Sequence, residues 1–185
     1  MKKLITTSIL YTAITAVLLG IVYPLAVTGV AHLLYPRQAA GSLIDSNGQL
    51  IGSSLIGQAF TGPSYFHSRP SAAGTGYDAG SSSGSNLAPT SKALITRVDG
   101  SVASEKTSAP VPVDLVTTSG SGLDPDITPA AALYQIDRVA QARHLSSTAV
   151  ADLVQQHITP RQFGLLGEPR VNVLQLNLAL DALAH

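Results

Sequence analysis

Apolar and charged positions are distributed unevenly along the chain. Lys2 and Lys3 open it, and no Lys, Arg, Asp or Glu follows until Arg37. The intervening run, Leu4 to Pro36, is 33 uncharged and largely apolar residues. A membrane-spanning helix needs roughly 20 apolar residues, so the run predicts a transmembrane helix. Tyr11 and Tyr35 stand near its two ends, where interfacial aromatics are favoured. Gly20, Pro24 and Gly29 lie inside it; a mid-span Pro kinks a helix, which packing and lipid tolerate, and it can also mark a contact surface for another helix. A cleaved signal peptide is the competing reading, with Gly29-Val30-Ala31 offering small residues for cleavage. The run exceeds the apolar core of a signal peptide, about 7–15 residues, which favours a retained helix. Basic residues stay on the cytoplasmic side, so Lys2 and Lys3 predict a cytoplasmic amino terminus and an exported remainder.

Beyond Arg37 the pattern changes to short alternating and helical segments. Leu43-Ile44 and Leu50-Ile51 flank Asp45-Ser46-Asn47-Gly48, a hairpin signal, and residues 42–60 read as a small antiparallel unit that includes Leu55-Ile56. Residues 62–89 hold Tyr65-Phe66-His67-Ser68-Arg69-Pro70, followed by a tract rich in Gly, Ser and Ala. Such composition reads as a flexible loop, although the aromatic pair, His and Arg could also form a docking surface. Residues 91–106 read as a helix. Val111, Val113, Leu115 and Val116 read as a short strand, with Pro110 and Pro112 suited to an edge. Ser119 to Asp126 reads as a tight loop. Thr128 as N-cap and Pro129 in the first turn predict a helix to about His144, with Leu133, Ile136, Val139 and Ala140 on its apolar face. A second helix is predicted from Ser147 to His157 with Val150, Leu153 and Val154 inward, ended by Pro160. Gly164 to Pro169 reads as a turn. Asn172 is placed to cap a last helix bearing Val173, Leu176, Leu180 and Leu183. The fold class is therefore an α+β extracytoplasmic domain behind one N-terminal transmembrane helix. Its expected divisions are a cytoplasmic segment 1–8, the helix 9–34, and the domain 37–185 with a Gly/Ser-rich loop over about 72–89.

Composition narrows the function. Eleven basic residues balance eleven acidic ones, which argues against a nucleic-acid binder. The chain has no Cys, so disulfides, thiolate metal sites and Cys nucleophiles are excluded. Gly74-Thr75-Gly76 with Gly80 has the wrong spacing for a dinucleotide fingerprint, and Gly80 to Ser85 lacks the lysine of a phosphate loop. His32, His67, His144, His157 and His185 do not fall at metal-ligand spacing. Asp124 and Asp126 could hold a cation, but a capping role at the following helix start is favoured. No nucleophile-elbow motif supports a hydrolase. On the residues alone, an anchored extracytoplasmic hydrolase and a secreted binding protein stay open beside a non-catalytic subunit.

Several segments then stand in one order: Leu55-Ile-Gly-Gln58, Tyr65-Phe-His-Ser-Arg-Pro-Ser71, Ser85-Asn-Leu-Ala-Pro-Thr90, Val116-Thr-Thr-Ser-Gly-Ser-Gly-Leu-Asp-Pro125, Gly167-Glu-Pro-Arg-Val-Asn-Val-Leu174 and Asn177-Leu-Ala-Leu180. Together they resemble the C subunit family of the bacterial Kdp-type potassium-transporting P-type ATPase, over nearly the whole chain. Asp126 departs from the pattern, since the family often has His there. The resemblance implies a non-catalytic subunit of a high-affinity potassium uptake complex in the bacterial inner membrane. It implies three partners: a channel-like potassium-binding subunit, a P-type ATPase catalytic subunit and a small hydrophobic subunit. It implies a role in assembly and as a catalytic chaperone raising the ATP affinity of the catalytic subunit, with ATP and potassium used by the complex and no catalytic residue or metal here. The expected partner-contact or scaffolding residues are Tyr65, Phe66, Arg69, Asn86, Ser119, Gly120, Asp124, Asn172 and Asn177. With the domain outside the cell, any effect on ATP affinity has to travel through helix contacts.

Overall fold

A computed structural model of the chain describes residues 1–46, 48–105, 107 and 109–183. Asn47 of the predicted turn, Lys106 at the predicted helix end and His185 lie outside the described residues. The chain divides into two units, Met1–Ser53 and Ser54–His185.

The first unit opens with one apolar helical run, Lys2–Leu34, long and apolar enough to cross a membrane. It comprises α1 (Lys2–Val17), a π-turn (Leu18–Val22) and α2 (Tyr23–Leu34). The π-turn has a local cause. Pro24 has no N–H, so the Gly20 carbonyl loses its usual donor, and the Tyr23 N–H reaches back to the Leu18 carbonyl. Such wide turns concentrate where the regular ladder is interrupted. Thr6 and Thr15 bond their hydroxyls to carbonyls four residues back, which satisfies them without water. Large apolar side chains are exposed all along the run, as a helix surrounded by lipid requires. A Cβ added at Gly20 or Gly29 would meet nothing within 4 Å. A short α3 (Pro36–Ala39) precedes the hairpin of β1 (Leu43–Ser46) and β2 (Gln49–Ser53), antiparallel with an irregularity between Ile44 and Asp45. The Asp45 carboxylate accepts the Gly48 N–H at 2.9 Å. That closes the turn while Gly48 takes the left-handed conformation it tolerates without cost. The predicted strand character of Leu55-Ile56 is not observed: Ser54 and Leu55 lie in a turn and Ile56 in a bend.

The second unit is α+β. Its helices are α4 (Lys92–Glu105), α5 (Pro129–Tyr134), α6 (Ile136–Arg143), α7 (Ser147–Gln156) and α8 (Val173–Leu183). Three short strands, β3 (Asp126–Ile127), β4 (Ile158–Thr159) and β5 (Arg170–Asn172), form an antiparallel sheet in the order β3-β5-β4. Val171 sits in the middle strand, opposite Ile127 and Ile158. Phe66, Ile136, Val139, Val150, Val154, Val171, Leu176 and Leu180 are in one buried core. Helix starts are capped as the residue types demand. Thr128 Oγ1 accepts the Ala131 N–H, Ser146 Oγ accepts that of Ala149, and Asn172 Oδ1 accepts that of Gln175. Each such cap stabilises by about 1 kcal/mol.

Several expectations are corrected here. Val113–Leu115 is a 3₁₀ turn, not a strand. Pro112 fixes the backbone just before it and removes a ladder donor. The single helix expected from Pro129 to His144 is two, broken at Gln135. There the main-chain N–H shifts to the Ala132 carbonyl, while the Gln135 side-chain amide takes the Ala131 carbonyl at 3.2 Å. The break turns Leu133 outward, and Ala131 and Ala132 are buried instead. Leu183, in the last turn of α8, is exposed, and Leu174 and Asn177 join the interior. Asp124 and Asp126 do not cap α5. The carboxylate at that helix start is Asp114, which accepts the Thr128 N–H at 2.8 Å.

Candidate functional site

Residues 62–70 carry no regular structure, yet α5, α6 and α8 fix them from below. Phe66 is 0% exposed and acts as the apolar pin. Its main-chain N–H donates to Asn177 Oδ1 at 2.9 Å, and its carbonyl accepts from Asn177 Nδ2 at 3.0 Å. Asn177 is 1% exposed, so this one side chain satisfies two interior backbone groups that water cannot reach. Gln135, also 1% exposed, repeats the device one residue later: its Oε1 accepts the His67 N–H at 2.7 Å and its Nε2 donates to the His67 carbonyl at 3.3 Å. Arg138 donates to the carbonyls of Pro63 and Tyr65 at 2.8 and 3.0 Å, and to Gln135 Oε1 at 2.6 Å. Arg143 donates to the Ser64 carbonyl at 2.7 Å and pairs with Asp181 at 2.6 Å, while its guanidinium lies 4.6 Å over the Tyr65 ring. Tyr65 stacks obliquely on Phe60, and its hydroxyl faces Asp181 at 3.4 Å. The loop is thus preorganised, with half-buried Tyr65 and Arg69 toward its surface.

His67 ties this loop to α4. Its Nδ1 lies 3.2 Å from Glu105 and its Nε2 lies 3.1 Å from the Gly62 carbonyl. The His67 hydrogen bond holds the Glu105 carboxyl below its usual range, outweighing the opposing effect of burial, and the nearby positive charges of His67 and Arg138 add to it. A carboxyl lowered in the folded state stabilises above its unfolded pKa, and that stabilisation is lost as pH falls through the folded value. Glu105→Gln should therefore cost stability at neutral pH, by less than about 1 kcal/mol because solvent still screens the pair, whose side chains are 21% and 19% exposed. The gap to the wild type should close in acid. Paired thermal melts at pH 7 and pH 3 measure it, and an equal gap at both would refute the assignment.

The second loop, residues 119–125, lies against the first and against the Gly/Ser-rich tract. Arg69 reaches Asp124 at 3.3 Å, and its other donors meet the carbonyls of Thr117 and Thr118 at 3.3–3.4 Å. Ser71 Oγ donates to the Gly122 carbonyl and accepts the N–H groups of Ala73 and Tyr77. Tyr77 donates its hydroxyl to the Arg69 carbonyl at 2.7 Å, and burial pushes this phenol up. Ser83 donates its N–H to the Ser121 carbonyl, and Gly57 donates to that of Leu123. The tract expected as a flexible loop is therefore stitched down by main-chain bonds, with Ala73 wholly buried. Ser119 is half-buried, and Gly120 and Asn86 are exposed, with Asn86 at positive φ. Asn172 donates to the Ser54 carbonyl at 2.9 Å besides capping α8.

Beside these loops opens a cleft of about 260 Å³ lined by Arg69, Asp114, Asp124, Asp126, Glu168 and Arg170 among others. Asp126 pairs with Arg170 at 3.0 Å, yet its carboxyl is raised. Burial is the largest cause, and neighbouring Asp124 adds to it. The bridge does not recover that cost because half the Arg170 side chain is in solvent. A carboxyl raised in the folded state stabilises below its unfolded pKa, and that is lost as pH rises through the folded value. Asp126→Asn is therefore expected to match the wild type near pH 3 and to exceed it modestly at pH 7, by less than about 1 kcal/mol. A variant less stable at pH 7 than at pH 3, relative to wild type, would overturn this.

Among the described residues no group of three or more His, Asp or Glu is placed to hold a metal ion. Gln135, Arg138 and Arg143, which do most to hold the first loop, were not among the expected residues. Gln135 had a signal: it interrupts the apolar stripe Ala131, Val139 at four-residue spacing, and a polar residue on a buried stripe needs a partner.

Residues 5–182 match the family described as KdpC, the K⁺-transporting ATPase c chain. The potassium-transporting ATPase KdpC subunit of Acidobacterium capsulatum is 65% identical over 176 residues, covering 95% of this chain and 96% of that one. That of Koribacter versatilis is 55% identical over 184 residues, covering 98% and 95%. That of Rhodospirillum rubrum is 55% identical over 185 residues, covering 96% and 95%. With the matched span running from within the first turn of the apolar helix nearly to the end of α8, the chain belongs to the KdpC family, the c chain of potassium-transporting ATPases.

Proposed function

We propose that the chain is the non-catalytic subunit that assembles and tunes a high-affinity, ATP-driven potassium uptake complex. The family match over residues 5–182 is the observation that carries this. The helix Lys2–Leu34 would cross the inner membrane once, with residues 1–8 cytoplasmic and 37–185 outside, as Lys2 and Lys3 favour. The anchor would pack beside the channel-like subunit, with Gly20, Pro24 and Gly29 permitting close approach. The P-type catalytic subunit and the small hydrophobic subunit complete the set. ATP is hydrolysed and potassium bound on those partners. This subunit raises the ATP affinity of the catalytic one through helix contacts, because its few cytoplasmic residues cannot enclose a nucleotide. Such coupling is reciprocal for binding, so ATP should in turn strengthen retention of this chain.

The test is potassium-stimulated ATPase activity of the partner subunits purified with and without this chain, recording which subunits copurify. Dissociation without it supports the assembly role. Intact partners that need more ATP for half-maximal rate support the tuning role. Intact partners with unchanged ATP dependence would overturn both. Arg69→Ala separates contact from scaffolding: lost retention with an unchanged melt indicates contact, and a lowered melt with normal retention indicates scaffolding.

A further inference from the structure

The hairpin between β4 and β5 carries three large apolar side chains that no fold requirement places there. Phe163, Leu165 and Leu166 are 85%, 79% and 61% exposed. The loop is built to display them. The N–H and carbonyl groups of Gln162 and Leu166 exchange bonds at 2.9 Å, and the Gly164 N–H donates to the Arg161 carbonyl at 3.0 Å. Arg161 and Glu168 clamp the base through a two-oxygen ion pair. Phe163 itself sits at φ +54°, a conformation a bulky side chain adopts only under constraint. Strain at an exposed aromatic has no stabilising role in the folded chain, and points to a role in binding.

We propose that this tip docks into an apolar, uncharged recess on another subunit of the same potassium-transporting ATPase. The inference rests on the assembly function proposed above. Three observations select this occupant. The tip offers roughly 500 Å² at most, so two tips packed on each other would bury about 1,000 Å² in total, short of the 1,200 Å² or more that a free-standing dimer needs. A patch this small holds a partner only when another contact already confines the two, and a shared membrane supplies that confinement. The base of the loop carries no unpaired cation, since Glu168 neutralises Arg161, and acidic residues outnumber basic ones from Arg37 onward. An anionic lipid surface is therefore a poor match. The preformed loop loses little freedom on docking, as a fitted protein recess favours.

The test uses the full chain coexpressed with the other subunits. A photoreactive benzoylphenylalanine at position 163 is expected to form a covalent adduct with another subunit. Adducts with lipid only, with a second copy of this chain, or none at all would overturn the proposal. In parallel, Phe163→Gly combined with Leu165→Ser should reduce retention in the detergent-purified complex roughly tenfold. Its melting temperature should be no lower than wild type, because glycine relieves the positive φ. Unchanged retention would overturn the docking role alone. A wild-type chain that fails to copurify would overturn the assembly function, and this inference with it.

Discussion

Replacing Asn177 by Leu should lower the stability of the chain by about 2–4 kcal/mol, because two interior backbone groups lose their partner together. Leu keeps the branch at Cγ but is bulkier than Asn, so no cavity opens and overpacking adds to the loss of the hydrogen bonds. The Phe66 N–H and carbonyl meet Asn177 at 2.9 and 3.0 Å, and Phe66 is wholly buried, so water cannot substitute without opening the loop. For a chain of this size the fall in melting temperature should be on the order of ten degrees. Thermal unfolding of the full chain in detergent measures it, and hydrogen exchange at the Phe66 amide should accelerate. Asn177→Asp provides a sharper control. A charged carboxylate accepts the N–H but donates nothing to the carbonyl, and it buries a charge. A protonated carboxyl has one donor and one acceptor, like the amide. The Asp variant should therefore recover toward wild type as pH falls. A loss below about 0.5 kcal/mol for Asn177→Leu would mean that the loop is held by Phe66 packing alone.

The helices were legible where periodicity and capping agreed. α7 follows from the spacing of the buried Val150, Leu153 and Val154, and α8 from Asn172 and its leucines. The hairpin β1–β2 was legible from its turn residues. The order in residues 62–89 was not, since Gly, Ser and Ala carry no periodic signal. Their structure comes from main-chain bonds to residues far along the chain, such as Ser83 to Ser121. The short strands β3, β4 and β5 are too brief to show alternation, and they exist because the sheet pairs them. The break at Gln135 depends on a loop more than sixty residues earlier, which no local propensity encodes. The candidate residues were reached through family motifs. Their division into interior pins, Phe66 and Asn177, and surface positions, Gly120 and Asn86, needed coordinates.

Gly122→Ala and Gly120→Ala should differ sharply although they stand two residues apart. Gly122 is buried at φ +66°, and an added Cβ would lie 2.8 Å from the Ala73 nitrogen and closer still to the Ser83 carbonyl. Both neighbours are backbone and cannot rotate aside. The left-handed conformation costs about 1 kcal/mol for alanine, and forcing the loops apart adds about 1–3 more. A total loss of roughly 2–4 kcal/mol follows, with the Gly/Ser-rich tract released from the 119–125 loop. Gly120 has open space around its Cβ position and no positive φ, so alanine there should leave the melt within about 0.5 kcal/mol of wild type. The pair therefore separates folding from contact. If the loop serves as scaffold, only Gly122→Ala should impair copurification with the ATPase subunits, in step with its lower melting temperature. If a partner packs on the exposed turn, Gly120→Ala should reduce retention while the melt stays unchanged. Limited proteolysis of residues 72–89 in both variants completes the measurement. Faster cleavage is expected in Gly122→Ala alone, and equal cleavage in the two would show that the tract is not anchored through Gly122.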